Sequence, residues 1–166
     1  LTLNHKWKKG DRIDLHFDME PRIVKASNQV EADRGRIAVE RGPLVYCAEF
    51  ADNDFDIMSA LINQKPSFTT ATATIAGAEI TTLTTDAQTL RFNEQGQLNV
   101  SDVRLRLIPY YAWCHRGSGK MRVWIPQELS ATSPTLPATL ASVSKLSASV
   151  KTSALSAVND RLTPKN

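Results

Sequence analysis

The chain lacks a large excess of charge of either sign. Among its 166 residues, 20 are Lys or Arg and 17 are Asp or Glu, so the formal net charge at pH 7 is +3. Nucleic-acid-binding proteins usually carry a concentrated basic face or a run of like charges. The nearest feature here, Lys6-Trp7-Lys8-Lys9, is typical of the solvated end of a strand beside a turn. The sequence therefore predicts no nucleic-acid partner.

Long hydrophobic runs and a cysteine framework are also missing. No stretch approaches the roughly 18 apolar residues that a membrane-spanning helix needs, so we expect no membrane partner. The two cysteines, Cys47 and Cys114, permit one disulfide bond but not a framework of several. No signal peptide is visible. Because the chain begins with Leu1 rather than Met, we expect the natural N-terminus to lie upstream, and the cellular compartment stays open.

Strict alternation of apolar and polar residues is the clearest structural signal. Between residues 12 and 20, four apolar side chains fall on one face and charged or polar ones on the other; the apolar four are Ile13, Leu15, Phe17 and Met19. A period of two over nine residues predicts a half-buried strand. Gly10-Asp11 is typical of a turn, so residues 1–7 are predicted to form an earlier strand of the same sheet.

Similar signals recur further along the chain. Residues 36–40 are predicted to form a strand, and residues 44–48 are so uniformly apolar that they suit a strand covered on both faces. Residues 103–108 and 121–125 also alternate. The glycine-containing turn at residues 117–119 lies between them, which predicts a hairpin.

Together these patterns predict an all-β fold, an antiparallel β-sandwich of the jelly-roll type. Residues 1–50 and 101–126 are assigned to the sandwich. Residues 51–100 are polar and rich in Thr, and are assigned to a small β-rich insertion or subdomain. Residues 127–140 are predicted to be a linker. Residues 141–166 carry too little apolar surface for a core, so we expect an extended, partly disordered C-terminal tail.

Two groups of residues have the chemistry for a catalytic or metal site. Cys114 and His115 are adjacent in sequence, and neighbours on a strand point to opposite faces. Together with Cys47 and Glu49 they could gather a zinc ion only if their strands were neighbours, and no ligand-type spacing supports this. We therefore predict no metal site.

The second group consists of three carboxylates, Asp14, Asp18 and Glu20, on one face of a predicted strand. Paired carboxylates can hydrolyse glycosides, but a solvent-exposed acid lacks the burial that raises the pKa of a general acid. A solvated strand face explains them better, and no catalytic residue is assigned.

Aromatic residues near the end of the chain are the stronger candidates for binding. Tyr110, Tyr111, Trp113 and Trp124 lie within fifteen positions of one another. Exposed rings on a sheet can stack on sugars, whereas buried rings fill a core or an interface. Tyr111, Trp113 and Trp124 are the candidate carbohydrate-binding residues, and packing within the core or between domains is the competing explanation.

Several motifs, taken in order, resemble the C-terminal region of glycoside hydrolase family 127, the β-L-arabinofuranosidase type. The resemblance covers roughly residues 1–126. The motifs are Trp7-Lys8-Lys9-Gly10-Asp11, residues 41–49 (RGPLVYCAE), Asp52-Asn53, residues 108–113 (IPYYAW), Arg116-Gly117 and residues 121–125 (MRVWI). Residues 141–149 and 157–160 also resemble the start of a discoidin-type carbohydrate-binding module.

The resemblance implies a division of labour. The family places its chemistry, a zinc-bound cysteine nucleophile, in an N-terminal (α/α)6 barrel, and this chain has no helical pattern for one. No catalytic residue and no zinc ligand is therefore carried over, and no cofactor is expected in this chain. Cys47 lies in the β-rich part and is not that nucleophile. The barrel of the same polypeptide is the expected partner, with a glycan as a further possibility.

Two functions remain open at this stage. The chain is either a non-catalytic accessory region that supports the barrel of a hydrolase acting on L-arabinofuranosides or related plant glycans, or a stand-alone carbohydrate-binding module. The first predicts an exposed apolar patch where the barrel is absent. The second predicts sugar binding that is lost when a tryptophan is replaced. A self-contained hydrolase would need convergent acids or a Cys-His pair, which the alternation disfavours.

Overall fold

A computed structural model describes residues 2–137 and shows an all-β fold. Nine strands form one strongly curled sheet in which every pairing between strands is antiparallel. The strands are β1 (Pro21–Lys25), β2 (Arg36–Arg41), β3 (Leu44–Glu49), β4 (Ala60–Ile62), β5 (Thr69–Ile75), β6 (Ala78–Phe92), β7 (Leu98–Pro109), β8 (Met121–Arg122) and β9 (Ile125–Pro126). The prediction of an all-β antiparallel fold is confirmed. Within residues 2–137 no helix is long and apolar enough to cross a membrane.

The strand order in the sheet is β1-β2-β3-β7-β6-β4, with β5 beside β6, β8 beside β3 and β9 beside β2. The longest ladder joins β6 to β7, from Leu83 opposite Leu107 to Phe92 opposite Leu98. A two-residue turn, Ala76-Gly77, connects β5 to β6, and both residues have positive φ angles, 50° and 80°. Such a turn matches the natural twist of a hairpin, which is why it is favoured there.

Strand β3 lies at the centre of the packing because both of its faces are covered. Tyr46 and Ala48 belong to the larger apolar cluster, whereas Cys47 between them belongs to a smaller one. On β7, Leu107 and Ile108 divide between the same two clusters. Alternate side chains of a strand point to opposite faces, so this division follows from the geometry of the chain. The prediction that residues 44–48 are covered on both faces is confirmed for residues 46–48, whereas Val45 is 37% exposed.

The larger cluster draws on both the predicted sandwich and the predicted insertion. It combines residues of β2 and β3 with Ile57, Ile62, Leu83 and Ala87 from the predicted insertion. The proposed division into a sandwich and a subdomain at residues 51–100 stays a prediction. In the predicted linker, backbone hydrogen bonds of 2.9 Å join Thr135 to Leu90 and Phe92 of β6. The remainder of the linker and the predicted discoidin-like tail, residues 138–166, lie outside the described residues.

The prediction of strands at residues 1–7 and 12–20 is wrong for the residues described. Residues 2–20 form no strand, and residues 2–18 are all exposed. Ile13, Leu15 and Phe17 alternate as expected but are 55%, 69% and 52% exposed. Alternation makes one face of a segment apolar, but a strand also needs a backbone neighbour to pair with. No strand between residues 2 and 137 pairs with this segment.

The predicted hairpin between residues 103–108 and 121–125 is also wrong. Strand β7 pairs with β3 and β6, whereas β8 pairs with the end of β3 and β9 with the start of β2. Gly119 does not form a hairpin turn. It allows the ring of Phe50 to pack against the backbone, because that ring occupies the position that a side chain at residue 119 would take. The aromatic segment is therefore a loop packed against the end of β3.

Candidate functional site

The three predicted sugar-binding residues lie in different environments. Tyr111 is 58% exposed, whereas Trp113 and Trp124 are half-buried. Trp113 packs against the smaller apolar cluster, and its ring lies 6.0 Å from that of Tyr110, tilted by 30°. Trp124 lies in the bend between β8 and β9. The structure thus pairs Tyr110 with Trp113, while Trp124 makes no ring pair in the described part of the chain.

Beside these aromatics lies an ionic cluster that the sequence analysis did not identify. We call it the arginine clamp, defined by Arg116, Glu49 and Asp52. The guanidinium of Arg116 donates to both carboxylates, with 2.7 Å between Nη1 and Asp52 Oδ1. The Glu49 side chain is fully buried and that of Asp52 is 8% exposed, while that of Arg116 is 29% exposed. The clamp therefore places two nearly buried negative charges against one cation.

The electrostatics of the clamp favour the charged form of its arginine. Hydrogen bonds from Arg116 to Asp52 raise the pKa of the guanidinium; burial opposes them, and the bond to Glu49 adds to the rise. The other oxygen of Glu49, Oε1, accepts a hydrogen bond of 3.1 Å from the backbone N–H of Cys114. Both carboxylates therefore have partners within the loop, and a charge this deeply buried needs them.

The clamp fastens the aromatic loop to the end of β3. Cys114 has a φ angle of 70°, a left-handed conformation that costs a residue with a side chain and persists where the surroundings hold it. Asn53 adds to the fastening by donating to the carbonyl oxygens of Glu49 (2.8 Å) and Arg106 (3.1 Å). The polar groups of the site bond to one another, and these bonds hold the loop in place.

A second polar group lies around Asp56. Its carboxylate accepts bonds of 2.9 Å from Lys120, 3.1 Å from the Met58 backbone and 3.1 Å from Thr135. Burial would raise the pKa of Asp56, but these hydrogen bonds, led by the one from Lys120, outweigh it and hold the pKa below its ordinary value. This carboxylate caps a 3-10 turn and joins three segments of chain.

The residues weighed for metal binding or catalysis do not assemble a site. In the part of the chain that the structure describes, no group of three His, Cys, Asp or Glu residues is arranged to hold a metal ion. Cys47 is buried, whereas Cys114 is exposed. Glu49 is bound by Arg116 instead.

The three carboxylates at residues 14, 18 and 20 are exposed, and the segment that carries them forms no strand. Asp18 bonds locally, accepting from the Glu20 backbone N–H at 3.0 Å.

A signal for the clamp was present in the sequence. Glu49 directly follows an apolar strand that was predicted to be covered on both faces, so its charge required a buried partner. Arg116, 67 positions away, is one of many arginines. Which arginine reaches Glu49 depends on the path of the loop after β7, and no local pattern specifies that path.

Comparisons with known proteins identify relatives of this chain. Residues 21–126 match the model of the glycoside hydrolase family 127 C-terminal domain. The non-reducing end β-L-arabinofuranosidase of Bifidobacterium longum is 34% identical over 131 residues, which covers 69% of this chain and 20% of that protein.

Solved structures give the same result. A family 127 β-arabinofuranosidase is 56% identical with a TM-score of 0.70, covering 74% of this chain and 19% of that one. A β-L-arabinofuranosidase of the same family from Geobacillus stearothermophilus T6 is 29% identical with a TM-score of 0.59, covering 66% of this chain and 18% of that one. The chain thus spans about a fifth of the length of these relatives, and it belongs to glycoside hydrolase family 127, matching the C-terminal domain of that family.

Proposed function

We propose that this chain is a non-catalytic accessory β-domain of a glycoside hydrolase that acts on L-arabinofuranosides or related plant glycans. The observation that carries the proposal is the arginine clamp. The carboxylates of Glu49 and Asp52 both bond to Arg116, and Glu49 also accepts from the Cys114 backbone, so both are engaged in fixing the loop.

The role of the domain is then to support a catalytic part that the longer relatives contain. The relatives named as β-L-arabinofuranosidases are about five times as long as the matched region and have ample chain for a separate catalytic domain. The clamp and the two apolar clusters give a rigid body that can be held against such a partner.

The test is an assay of the purified chain with p-nitrophenyl β-L-arabinofuranoside, with the full-length Bifidobacterium longum relative as the positive control. We expect no turnover above the uncatalysed background from the chain alone. Saturable turnover that disappears in Glu49→Gln, with the fold retained by circular dichroism, would contradict the proposal because it would make the clamp a catalytic site.

A second function, glycan binding, is favoured by one specific observation. Tyr110 and Tyr111 are 46% and 58% exposed, and the Tyr110 ring lies beside that of Trp113. Adjacent exposed rings can stack on the apolar face of a sugar. Titration with arabinose-containing oligosaccharides, followed by tryptophan fluorescence, tests this function. Saturable quenching that is lost in Trp113→Ala and kept in Trp7→Ala would support it. Quenching lost in neither variant would count against it.

A further inference from the structure

The long strand β6 has two edges, and they are covered in different ways. Strand β7 pairs with β6 along one edge, from Leu83 to Phe92. The other edge is covered in pieces, by β5 opposite residues 78–84 and by β4 opposite residues 87–89. Residues 90–92 extend beyond β4, and an uncovered strand edge is a template on which another chain can pair. The end of β6 therefore needs a cover of its own.

Thr135 supplies that cover. Its backbone N–H donates to the carbonyl oxygen of Leu90, and its carbonyl oxygen accepts from the N–H of Phe92, both at 2.9 Å. These two bonds place Thr135 beside Arg91 as an isolated parallel bridge. Leu90 is fully buried and Phe92 is 5% exposed. The bridge thus closes a strand edge that carries two buried apolar side chains.

The segment that carries Thr135 is fastened at its other end by Gln127. We call residues 127–137 the strap. Gln127 is buried, and its Nε2 donates to the carbonyl oxygens of Asn63 and Gln64 at 2.9 and 3.0 Å. The Gln64 side chain donates back to the carbonyl oxygen of Gln127 at 2.6 Å. The strap is thus bound at its start to the two residues that directly follow β4.

A glycine allows the strap to lie close to the start of β2. The Gly35 carbonyl oxygen accepts from the backbone N–H groups of Gln127 and Glu128, at 2.8 and 3.0 Å. A Cβ atom at position 35 would lie 3.0 Å from Cβ of Glu128 and 3.1 Å from Cβ of Ala131. A side chain there would therefore crowd the strap, and the φ angle of 70° also favours glycine.

The strap also reaches the polar group around Asp56. The Thr135 hydroxyl donates to Asp56 Oδ2 at 3.1 Å, and Lys120 binds the same carboxylate at 2.9 Å. A short length of chain thus connects β2, the residues after β4 and the end of β6. Because β3 and β7 separate β2 from β6 in the sheet, the strap joins strands that are not neighbours.

We propose that the strap covers the end of β6 and so prevents a second chain from pairing there. The strap lies beyond residues 21–126, which match the family model, so this cover is contributed by chain outside the matched region. When the strap leaves, the Leu90 carbonyl and the Phe92 N–H lose their partners. Unpaired backbone groups beside buried apolar side chains are what a pairing strand binds.

Amide hydrogen exchange on the full 166-residue chain tests whether the strap stays closed. The amides of Gln127, Thr135 and Phe92 are expected to exchange about 100-fold more slowly than that of Leu15, because bonded amides exchange only when the structure opens. Leu15 lies in the N-terminal segment, residues 2–20, which forms no strand. Strap amides that exchanged as fast as that of Leu15 would overturn the proposal.

Variants within the strap test whether it covers the edge. Thr135→Pro removes the N–H that bonds to Leu90, and we expect the Phe92 amide to exchange about 10-fold faster. Thr135→Val keeps both backbone bonds and loses only the hydroxyl bond to Asp56, so its effect should be smaller. Ser133→Ala is the matched control, because Ser133 is exposed, and it should leave the exchange unchanged. If Thr135→Pro did not accelerate exchange at Phe92, the strap would not be the cover of this edge.

Light scattering at two protein concentrations tests the exclusion of a second chain. We expect Thr135→Pro to form larger species at the higher concentration than the unaltered chain or Ser133→Ala, because the freed edge can pair. Circular dichroism checks that the sheet is retained. Faster exchange at Phe92 without added association would mean that the free edge binds no second chain, which overturns the proposal.

A second variant keeps the test decisive if Thr135→Pro unfolds the chain. Gln127→Ala releases the strap at its other end and leaves the groups that bond to β6 in place. It should give the same two changes, smaller in size, and unchanged exchange and scattering would contradict the proposal. None of these readouts involves turnover, so they test the strap separately from the proposed function.

Discussion

Residues 12–20 alternate between apolar and polar side chains, whereas strand β3 is almost uniformly apolar. Both patterns predict a strand, yet only β3 forms one. Leu15 is 69% exposed, whereas Tyr46 and Cys47 of β3 are fully buried. The difference is the surroundings. β3 has β2 on one side and β7 and β8 as further partners, while residues 12–20 have no pairing partner within residues 2–137.

This contrast separates what a pattern encodes from what a fold supplies. Alternation specifies which side of a strand can be buried, but burial requires another surface, and pairing requires another backbone. The acids of the two regions differ for the same reason. Asp14 and Asp18 lie in water, whereas Glu49 is buried and depends on Arg116.

The largest expected effect comes from removing the cation of the arginine clamp. Arg116→Ala leaves the buried carboxylate of Glu49 without its cation, and we expect the free energy of unfolding to fall by about 3–5 kcal/mol. Urea denaturation followed by circular dichroism measures the change.

The control is Arg22→Ala. Arg22 is exposed and forms a close ion pair with Glu40. An exposed pair contributes about 0–1 kcal/mol. The double variant Glu49→Gln with Arg116→Ala should recover part of the loss, because the fully buried side chain at position 49 is then neutral and only Asp52 has lost its cation. If Arg116→Ala destabilised the chain no more than Arg22→Ala, the clamp would have no stabilising role.

The next effect compares two leucines directly. Leu107 on β7 is fully buried in the larger cluster, so Leu107→Ala should lower the free energy of unfolding by about 2–5 kcal/mol through lost burial and the cavity left behind. Leu15→Ala should change it by less than about 0.5 kcal/mol, as for an ordinary surface position. Chemical denaturation of both variants gives the comparison. A loss of several kcal/mol at Leu15 would show that residues 12–20 pack on this chain.

The sequence predicted the sheet better than it predicted the site. The predicted strands at residues 36–40 and 44–48 match β2 and β3 because their apolar character is a local signal. The sequence did not specify which distant segments pair with one another. Strand β8 lies against β3, 72 positions earlier, and the alternation of residues 121–125 does not specify that neighbour.

The candidate site was missed for a related reason. Glu49 and Arg116 meet through the path of the loop after β7, which includes a left-handed Cys114 and the close approach of Phe50 to Gly119. These are tertiary features without a sequence period. The aromatic residues stay a predicted binding group, and the sequence could not specify which of them are exposed because alternation does not apply inside a loop.

A smaller effect tests one hydrogen bond of β3. The hydroxyl of the buried Tyr46 donates to the carbonyl oxygen of Thr81 at 2.9 Å, and burial raises the pKa of this phenol. Tyr46→Phe keeps the ring and removes the bond, so we expect a loss of about 0.5–1.5 kcal/mol in the free energy of unfolding. Tyr111→Phe, at an exposed position, is the matched control and should change little. A Tyr46→Phe variant as stable as the control would mean that the hydroxyl adds nothing.

The smallest effect at neutral pH concerns the two thiols. Burial, together with the negative charges of Glu49 and Asp52, raises the pKa of Cys47 to about 12, whereas Cys114 is exposed. Since the thiolate is the reactive form, iodoacetamide at pH 8 should modify Cys114 alone in the folded chain and both thiols in urea, as mass spectrometry would detect.

The raised pKa of Cys47 also fixes the sign of the pH dependence of stability. Its contribution to stability is complete below its ordinary value and is lost as the pH rises from there toward 12, because only the unfolded chain then releases the proton. Modification of Cys47 at the rate of Cys114 in the folded chain would mean that β3 opens as freely as the N-terminal segment, and would remove the contrast between the two regions.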